Sequence, residues 1–290
     1  MNAFAPVEGI TIRAADLSDV GQRGRIDSFV ASHPRAEPFH RPQWSLAVER
    51  GCGQRGHYLV AEDRSRGIAG VLSLTEIRSS LFGAALVSTG FGVGGGILAR
   101  DAAMADGLAD AAWDLARRLD CPTLELRGGH LPEGWSRSEG IYASFARALP
   151  REDEAILLSI PRKQRAEVRR ALGFGLEVAT GRTAGDHYRV YSESVRNLGT
   201  PVFPRALFEA MLEAFGEDAD IVTVSKDGRP VSSVLTFYFK DTAYPYWGGG
   251  TAAARQWRGN ELMYYELMRH AARRGCTRFD FGRSKVGTGA

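Results

Sequence analysis

Apolar and polar positions follow two different spacings along the chain, and the same order of spacings occurs twice. Residues 57–77 and 220–239 each contain two apolar runs around a short polar turn, which predicts a pair of antiparallel strands. Residues 108–121 and 261–276 carry apolar side chains three and four positions apart, which predicts an amphipathic helix. A short apolar stretch after each helix predicts a further strand. This order predicts a mixed α/β sheet in each half, with the helix packed across it.

Matching landmarks indicate that the two halves are copies of one unit. A triple glycine precedes each predicted helix, each helix ends in Ala-Arg-Arg, and a cysteine follows. Gly96 lies 25 positions before Cys121, and Gly250 lies 26 positions before Cys276. Self-similarity of this kind predicts a tandem repeat of one structural unit. Each half also begins with helical patterns, at residues 17–32 and 41–50 in the first half and at residues 187–199 and 205–216 in the second.

Length and composition predict two globular domains. A chain of 290 residues exceeds the usual size of one domain, and 44% hydrophobic with 24% charged residues excludes disordered and fibrous classes. Pro150 and Pro161 flank a charged crossing segment, so we expect a first domain at 1–150 and a second at 151–290. The net charge of +3 is too small for the whole molecule to attract polyanions, so phosphate binding requires a local cluster of cations.

Several features predict a cytoplasmic protein without a metal site. The first residues lack the basic start and apolar core of a signal peptide. The sequence contains no run of eighteen apolar residues, so we expect no membrane span. The six histidines show no ligand spacing with each other or with the cysteines. The cysteines are odd in number and far apart, which favours reduced thiols over a disulfide framework; they are Cys52, Cys121 and Cys276.

A strongly basic helix is predicted at residues 162–172. Val168, Ala171 and Leu172 form one apolar stripe, and the cations lie elsewhere around the helix. We favour a phosphate pocket, because cations in the first turn oppose the helix dipole unless an anion is bound. A solvated helix face and contact with an RNA backbone are the alternatives, and only one aromatic residue lies near enough to stack on bases. The cations are Arg162, Lys163, Arg165, Arg169 and Arg170.

The order of helices, antiparallel strands, crossover helix and strand resembles the GNAT acyltransferase fold. The resemblance implies an α/β (α+β) chain of two tandem GNAT-like acyl-CoA N-acyltransferase domains, each a mixed, mainly antiparallel sheet flanked by helices. In that family the turn before the crossover helix holds a CoA pyrophosphate and reads Gln or Arg, two residues, Gly, one residue, then Gly or Ala. Residues 256–261, QWRGNE, match at Gln256 and Gly259 and depart at Glu261. The resemblance implies that the donor is bound by Gln256, Arg258, Gly259 and Asn260.

The first half has no comparable turn. Its residues 92–104 contain glycines but no Gln or Arg in the register of the family's motif. We therefore interpret these glycines as a tight exit from a strand rather than as a cofactor site.

Residues 161–178 and 258–285 make the resemblance more specific. Together they resemble the FemAB-like family, in particular the members associated with PEP-CTERM/exosortase and exopolysaccharide loci, and the likeness extends over the whole chain from residue 10. It implies transfer of an acyl or aminoacyl group from acyl-CoA or aminoacyl-tRNA, with no tightly bound cofactor. The implied acceptor is an amine on a nucleotide- or lipid-linked sugar, and tRNA is a possible partner.

One departure from that family favours an alternative. Many relatives have a Phe-Lys segment after the stretch that corresponds to residues 280–289, and this chain ends at Ala290 before reaching it. The alternative is a catalytically silent binding module that acts in polysaccharide assembly or binds RNA.

Four residues are candidates for the chemistry. Asp280, Arg283 and Lys285 come at the end of the last predicted strand, where α/β units commonly present functional groups, and the alternative for Asp280 is a surface acid. His40 has a pKa suited to accepting an amine proton, although a lone histidine in a Pro-flanked loop is more often incidental. No Ser-His-Asp or Cys-His order is present, so direct transfer is favoured over a covalent intermediate.

Aromatic residues precede the second triple glycine. Tyr246 and Trp247 could stack on a sugar or a nucleobase, and core or sheet packing is the more common use of strand aromatics.

Overall fold

The computed structural model describes residues 10–81 and 83–287 and forms two compact units, Met1–Glu139 and Gly140–Ala290. The first nine residues, on which the prediction about a signal peptide rests, lie outside this part of the chain, as do the last positions of the stretch 280–289. In residues 10–81 and 83–287, no helix combines the length and the apolar character needed to cross a membrane.

The first unit is a six-stranded sheet with three helices in its described part. Its strands are in the order β1-β2-β3-β4-β6, and β5 pairs with β3. A short 3-10 turn precedes the second helix. The elements are β1 (Thr11–Ala14), α1 (Val20–Ser32), α2 (Pro42–Cys52), β2 (Arg55–Glu62), β3 (Ile68–Ser79), β4 (Gly83–Val87), β5 (Leu98–Ala99), α3 (Ala102–Arg118) and β6 (Leu124–Glu125).

The second unit is also a six-stranded sheet, with strand order β7-β12-β11-β10-β9-β8. Strands β11 and β12 are parallel, and the other neighbours in this sheet are antiparallel. The elements are β7 (Tyr142–Ala148), α4 (Asp153–Ser159), α5 (Arg162–Leu172), β8 (Glu177–Gly181), α6 (Ala184–Asn197), α7 (Arg205–Phe215), β9 (Ala219–Lys226), β10 (Arg229–Phe239), β11 (Thr242–Gly250), α8 (Ala252–Trp257), α9 (Gly259–Arg273) and β12 (Arg278–Lys285).

The structure confirms the fold class and the duplication. In both units a long crossover helix joins two parallel strands, β4 to β6 and β11 to β12. The ends of the two helices have the same geometry, since the Cys121 N–H donates to the Ala116 carbonyl (2.9 Å) and the Cys276 N–H donates to the Ala271 carbonyl (3.0 Å). Both cysteines are buried, and burial raises the pKa of each thiol. The two landmark cysteines therefore mark equivalent turns.

The boundary between the units lies before β7, at residues 139 and 140 rather than near residue 150. Strand β7 pairs with β12, for example at Ala148 with Arg278 and at Arg147 with Phe279. Because it completes the second sheet, this strand belongs to the second unit, although it lies in the first domain of the sequence-based division.

The core of the second unit lies on both faces of its sheet. On one face, Val234 and Phe279 pack under the apolar side of α9, where Leu262 and Leu267 are also buried. On the other face, helix α6 covers β10 and β11, and α7 lies against β9 and α6. The spacing of apolar residues in α9 directs one side of this helix to the sheet. This packing holds the start of α9 against the sheet.

Candidate active site

An opening between two parallel strands is the most distinctive feature of the second unit. Strands β11 and β12 have register pairs only at Thr242 with Arg278 and at Ala243 with Phe279. Beyond these two pairs, the described residues of β11 and β12 have no further register pair, so the two strands separate. We call the space between residues 244–250 and residues 280–285 the β11–β12 opening. The edge of a strand that separates from its neighbour can bind an extended ligand.

A bulge turns β12 away from β11. The register of β12 with β7 shifts between Asp280 and Arg283, so that β12 carries one extra residue. Gly282 is in the left-handed region at φ 73°, which glycine adopts without a Cβ penalty. Its N–H donates to Asp280 Oδ1 at 2.7 Å. Bulges of this kind bend a strand and redirect side chains, and they are common beside functional sites.

Asp280 lies at the base of the opening, directly after the last register pair of the parallel strands. Burial raises the pKa of its carboxyl group above the ordinary value, while the Gly282 N–H and the charge of Arg278 act in the opposite direction. A carboxylate held in this way is more basic than one at the surface, which suits proton transfer.

The other two candidates on β12 lie farther out. Arg283 is exposed and stacks on the ring of Tyr142 in β7, with its guanidinium carbon 4.2 Å from the ring centroid. Lys285 is exposed at the end of the strand. The bulge therefore directs Arg283 toward β7, and Asp280 bonds to the backbone rather than to this arginine.

His40 lies in the first unit, whereas the other candidate residues lie in the second. It is buried in the 3-10 turn before α2, and its Nδ1 accepts the Glu37 N–H at 3.0 Å. The Tyr58 hydroxyl donates to the His40 carbonyl at 2.5 Å. These contacts give His40 a role in closing the turn, which the sequence could not distinguish from a base.

The predicted donor turn lies at the end of β11. Helix α9 begins at Gly259, after Arg258 in a left-handed conformation (φ 55°, ψ 36°). A Cβ at Gly259 would lie 2.6 Å from Ser232 Oγ, so glycine allows the helix to begin directly against β10. The side chain of Asn260 lies against Gly250, where a Cβ would come within 2.5 Å of Asn260 Oδ1. The start of α9 is thus held close to the open edge of β11.

The outer positions of this turn differ in exposure. Gln256 is exposed, and Glu261 is partly exposed in the first turn of α9. A carboxylate in that turn is favoured by the helix dipole. It would also repel a diphosphate placed beside it.

An ion pair connects the basic helix α5 to the predicted donor turn at Arg258. Glu167 of α5 accepts from Arg258 Nε at 2.8 Å, and it also pairs with Arg170 at 3.1 Å. At the end of α5, Phe174 packs edge-on against Trp257 with ring centroids 5.6 Å apart. Glu167 could not be singled out from the sequence, because an acid within a basic run is the expected partner of its helical neighbours.

The cations of α5 lie mainly on its outer side. Val168 and Ala171 are buried, whereas Leu172, expected in the same stripe, is 52% exposed. The side chain of Arg165 donates to the Leu158 carbonyl at 3.2 Å. In the part of the chain that the structure describes, no ion-pair partner is found for three exposed cations, namely Arg162, Lys163 and Arg169.

Trp247 packs in the core of the second unit. It is 6% exposed and lies against Phe208 of α7 and Phe237 of β10, at ring-centroid distances of 5.2 and 6.0 Å. Tyr246 is partly exposed and contacts Trp247 edge-on at 4.9 Å. Of the two aromatic residues proposed for ligand stacking, only Tyr246 has an exposed surface.

The second triple glycine allows neighbouring elements to approach the end of β11 closely. A Cβ at Gly248 would lie 2.8 Å from Val234, and one at Gly249 would lie 2.3 Å from Ser194 Oγ. Helix α6 is further anchored here, since Glu193 accepts the Ala252 N–H at 3.0 Å. These glycines therefore serve close packing around the opening.

In the first unit the corresponding space is filled by the protein's own chain. Arg127 Nη1 donates to the carbonyls of Thr89 (3.2 Å) and Gly92 (2.5 Å). Gly96 packs so closely against Gly128 that a Cβ would lie 2.1 Å from the Gly128 carbonyl oxygen. This agrees with the interpretation of the first-half glycines as a tight strand exit.

Comparisons with known proteins agree with this architecture. Residues 160–287 match the sequence model of an acetyltransferase (GNAT) domain. No curated protein matches this chain in sequence. The structure of FemX is similar with a TM-score of 0.68 and 15% identity, over 96% of this chain and 90% of that one.

Two further solved structures share the arrangement. A tandem GNAT protein from the clavulanic acid biosynthesis pathway has a TM-score of 0.57 and 15% identity, over 97% of this chain and 91% of that one. The N-myristoyltransferase of Saccharomyces cerevisiae with bound myristoyl-CoA has a TM-score of 0.56 and 10% identity, over 96% and 78%. The chain therefore has a tandem GNAT-like fold, and its second unit matches the GNAT acetyltransferase domain in sequence.

Proposed function

We propose that the second unit transfers an acyl or aminoacyl group directly from an activated donor to an amine. The observation that carries this proposal is the β11–β12 opening, which has the start of α9 at one end and Asp280 at its base. The match of residues 160–287 to a GNAT acetyltransferase domain supports it. The closed space in the first unit supports a structural role for that unit.

The donor would lie along the open edge of β11. Residues 244–250 lie along this edge, where an extended amide chain can bond to backbone. The first N–H groups of α9 can bind an anionic end group, and the charge of Glu261 in the same turn opposes a diphosphate there. Acyl-CoA is the first donor class, and the N-myristoyltransferase of similar fold binds myristoyl-CoA. Aminoacyl-tRNA is the second donor class, which the resemblance of the sequence to the FemAB-like family implies.

Asp280 would accept the proton of the attacking amine. The amine nitrogen forms a bond to the donor carbonyl carbon, and the ammonium proton passes to Asp280 Oδ. The tetrahedral intermediate then collapses, its bond to the leaving sulfur or oxygen breaks, and the leaving group takes up the proton that Asp280 holds, which restores the carboxylate. N–H groups on the edge of β11 stabilise the negative charge on the carbonyl oxygen.

The proposed acceptor is an amine on a nucleotide- or lipid-linked sugar, used as a cytoplasmic precursor of exopolysaccharide or cell envelope. Two features support this choice: the resemblance to the FemAB-like family, and the uncompensated cations of α5 beside the turn at Arg258. Such acceptors carry phosphates, and arginine side chains bind phosphate by paired hydrogen bonds.

The experiment is a transfer assay with acetyl-CoA and aminoacyl-tRNA as donors and amino-sugar nucleotides as acceptors, read by mass spectrometry. We expect Asp280→Asn to lower kcat about 100-fold or more with little change in donor affinity, as is usual for loss of a general base. Asp186→Asn removes an exposed acid of α6 and is the matched control, which should keep full activity. Equal activity of Asp280→Asn and Asp186→Asn would exclude Asp280 as the base. Binding of these ligands without transfer from any donor would instead favour a binding module.

A further inference from the structure

The outer side of α5 carries an unusual density of uncompensated charge. Arg162, Ala166 and Arg169 follow one another at helical spacing on the side opposite Val168 and Ala171, which are buried. Lys163 lies on the flank of this side. Because these cations are exposed and have no acidic partner in the described chain, they give α5 a positive outer surface.

Exposed leucines border these cations. Leu158, at the end of α4, is 54% exposed, and Leu172, at the end of α5, is 52% exposed. The Leu158 carbonyl accepts from Arg165 (3.2 Å), which places the end of α4 beside the start of α5. Leu172 follows Arg169 by three residues and lies beside it, on the flank of α5 away from Lys163. We define the α4–α5 surface as Leu158, Arg162, Lys163, Arg169 and Leu172.

The acids of α4 and α5 leave this surface with a net positive charge, since Glu154, exposed four residues before Leu158, is the one acid among them that is not paired with an arginine of another element or of α5 in the described chain. Glu167 is the one acid of α5 and is paired with Arg258 and Arg170. Asp153, at the other end of α4, is paired with Arg269 and Arg273, and these arginines lower the pKa of its carboxyl group.

We propose that the α4–α5 surface docks on an anionic lipid bilayer. Basic side chains are attracted to acidic headgroups, and apolar side chains beside them can enter the boundary between headgroups and acyl chains. An RNA surface would require exposed aromatic rings among the cations. The nearest aromatic residue, Phe174, is instead packed against Trp257.

Docking here would place the candidate active site at the bilayer. Glu167 joins the helix to Arg258, the residue directly before α9, so the proposed donor turn lies next to the docking helix. This placement of the active site rests on the proposed function, since a lipid-linked sugar is an acceptor that is held in the bilayer. The docking itself does not depend on the transfer reaction.

The test is co-sedimentation of the full chain with vesicles of phosphatidylcholine alone and with about one third phosphatidylglycerol. We expect binding to the anionic vesicles only, weakened by salt. The triple variant Arg162→Gln/Lys163→Gln/Arg169→Gln should weaken it roughly 100-fold, and Leu158→Ser/Leu172→Ser should weaken it without changing its salt dependence. The control Arg189→Gln/Arg196→Gln/Arg205→Gln removes the same charge from exposed positions of α6 and α7 and should bind like the wild type.

The outcomes separate docking from catalysis and from RNA binding. Failure of the wild type to bind anionic vesicles, or equal binding by the two triple variants, overturns the proposal. If the triple variant of Arg162, Lys163 and Arg169 loses tRNA binding but keeps vesicle binding, the surface binds RNA and the docking proposal is overturned as well. Asp280→Asn should bind vesicles like the wild type, so a failure of the transferase proposal leaves this result unaffected. Circular dichroism and Tm establish that each variant is folded.

Discussion

At the scale of single residues, His187 of α6 is a buried histidine with one ring nitrogen that has no hydrogen-bond partner among the described residues. His187 is fully buried, and its Nδ1 lies 3.0 Å from the Ser233 hydroxyl. Its Nε2 has no hydrogen-bond partner among the described residues, and the ring packs against Tyr191 and Phe208. Burial lowers the pKa of His187 to about 4, so the imidazole is neutral in the folded protein at neutral pH.

This depressed pKa predicts a loss of stability in mild acid. The ordinary pKa is 6.5, so the unfolded chain binds a proton that the folded chain excludes between pH 6.5 and about 4. The stabilisation is complete above pH 6.5 and is lost as the pH falls toward 4, by up to about 3 kcal/mol. We expect His187→Leu to flatten this part of the pH dependence of Tm measured by calorimetry. The same slope in wild type and variant would show that His187 is not its source.

At the scale of elements, the close contact between α9 and β10 determines where the proposed donor turn lies. A Cβ at Gly259 would meet Ser232 Oγ at 2.6 Å and Val231 Cγ2 at 3.1 Å. We expect Gly259→Ala to cost about 1–3 kcal/mol of stability, because the start of the helix must move away from the sheet. Donor affinity measured by calorimetry should fall with it.

A second substitution provides the control for that prediction. Ser232→Ala removes the hydroxyl group that the new Cβ would meet, so Ser232→Ala/Gly259→Ala should recover much of the stability and of the donor affinity. Gly185→Ala, in the first turn of α6, has no atom within 4 Å of its new Cβ and should be neutral or slightly stabilising. A lack of recovery in the double variant would mean that the contact with Ser232 does not position the helix.

The elements themselves could be predicted well from the sequence, because their signals are local. The basic helix was expected at residues 162–172 and is found at Arg162–Leu172. The pairing partners of distant strands could not be predicted in this way. Strand β7 joins β12 across more than a hundred residues of chain, which no local spacing encodes, and this placed the domain boundary too late.

The candidate site could be predicted only in part, for the same physical reason. Gly259 was predicted from the resemblance of residues 256–261 to the family's turn, and Asp280 from its place in the last predicted strand. The pairing of Glu167 with Arg258 and the burial of Trp247 depend on tertiary packing. A charge or an aromatic ring in a sequence indicates which contacts are possible, and the fold selects among them.

At the scale of the whole molecule, duplication has produced one open and one closed copy of the same unit. Both copies keep the crossover helix and the two parallel strands. In the first copy, Arg127 bonds to two carbonyls of the loop after β4, and Gly96 contacts Gly128. In the second copy, β12 has a bulge at Gly282, and its register pairs with β11 end at Ala243 with Phe279.

This asymmetry predicts one donor site per chain, although the fold contains two GNAT-like units. Isothermal titration with acetyl-CoA should give a stoichiometry of one, because the backbone edge that would bind a donor in the first unit is already used by Arg127 and its partners. Gly259→Val should abolish the binding, whereas Arg127→Gln should lower Tm and leave the stoichiometry at one. A stoichiometry of two, or loss of binding in Arg127→Gln with Gly259→Val unaffected, would place a donor site in the first unit instead. Because the two variants lie in different copies, the titration assigns the site to one of them whichever result is obtained.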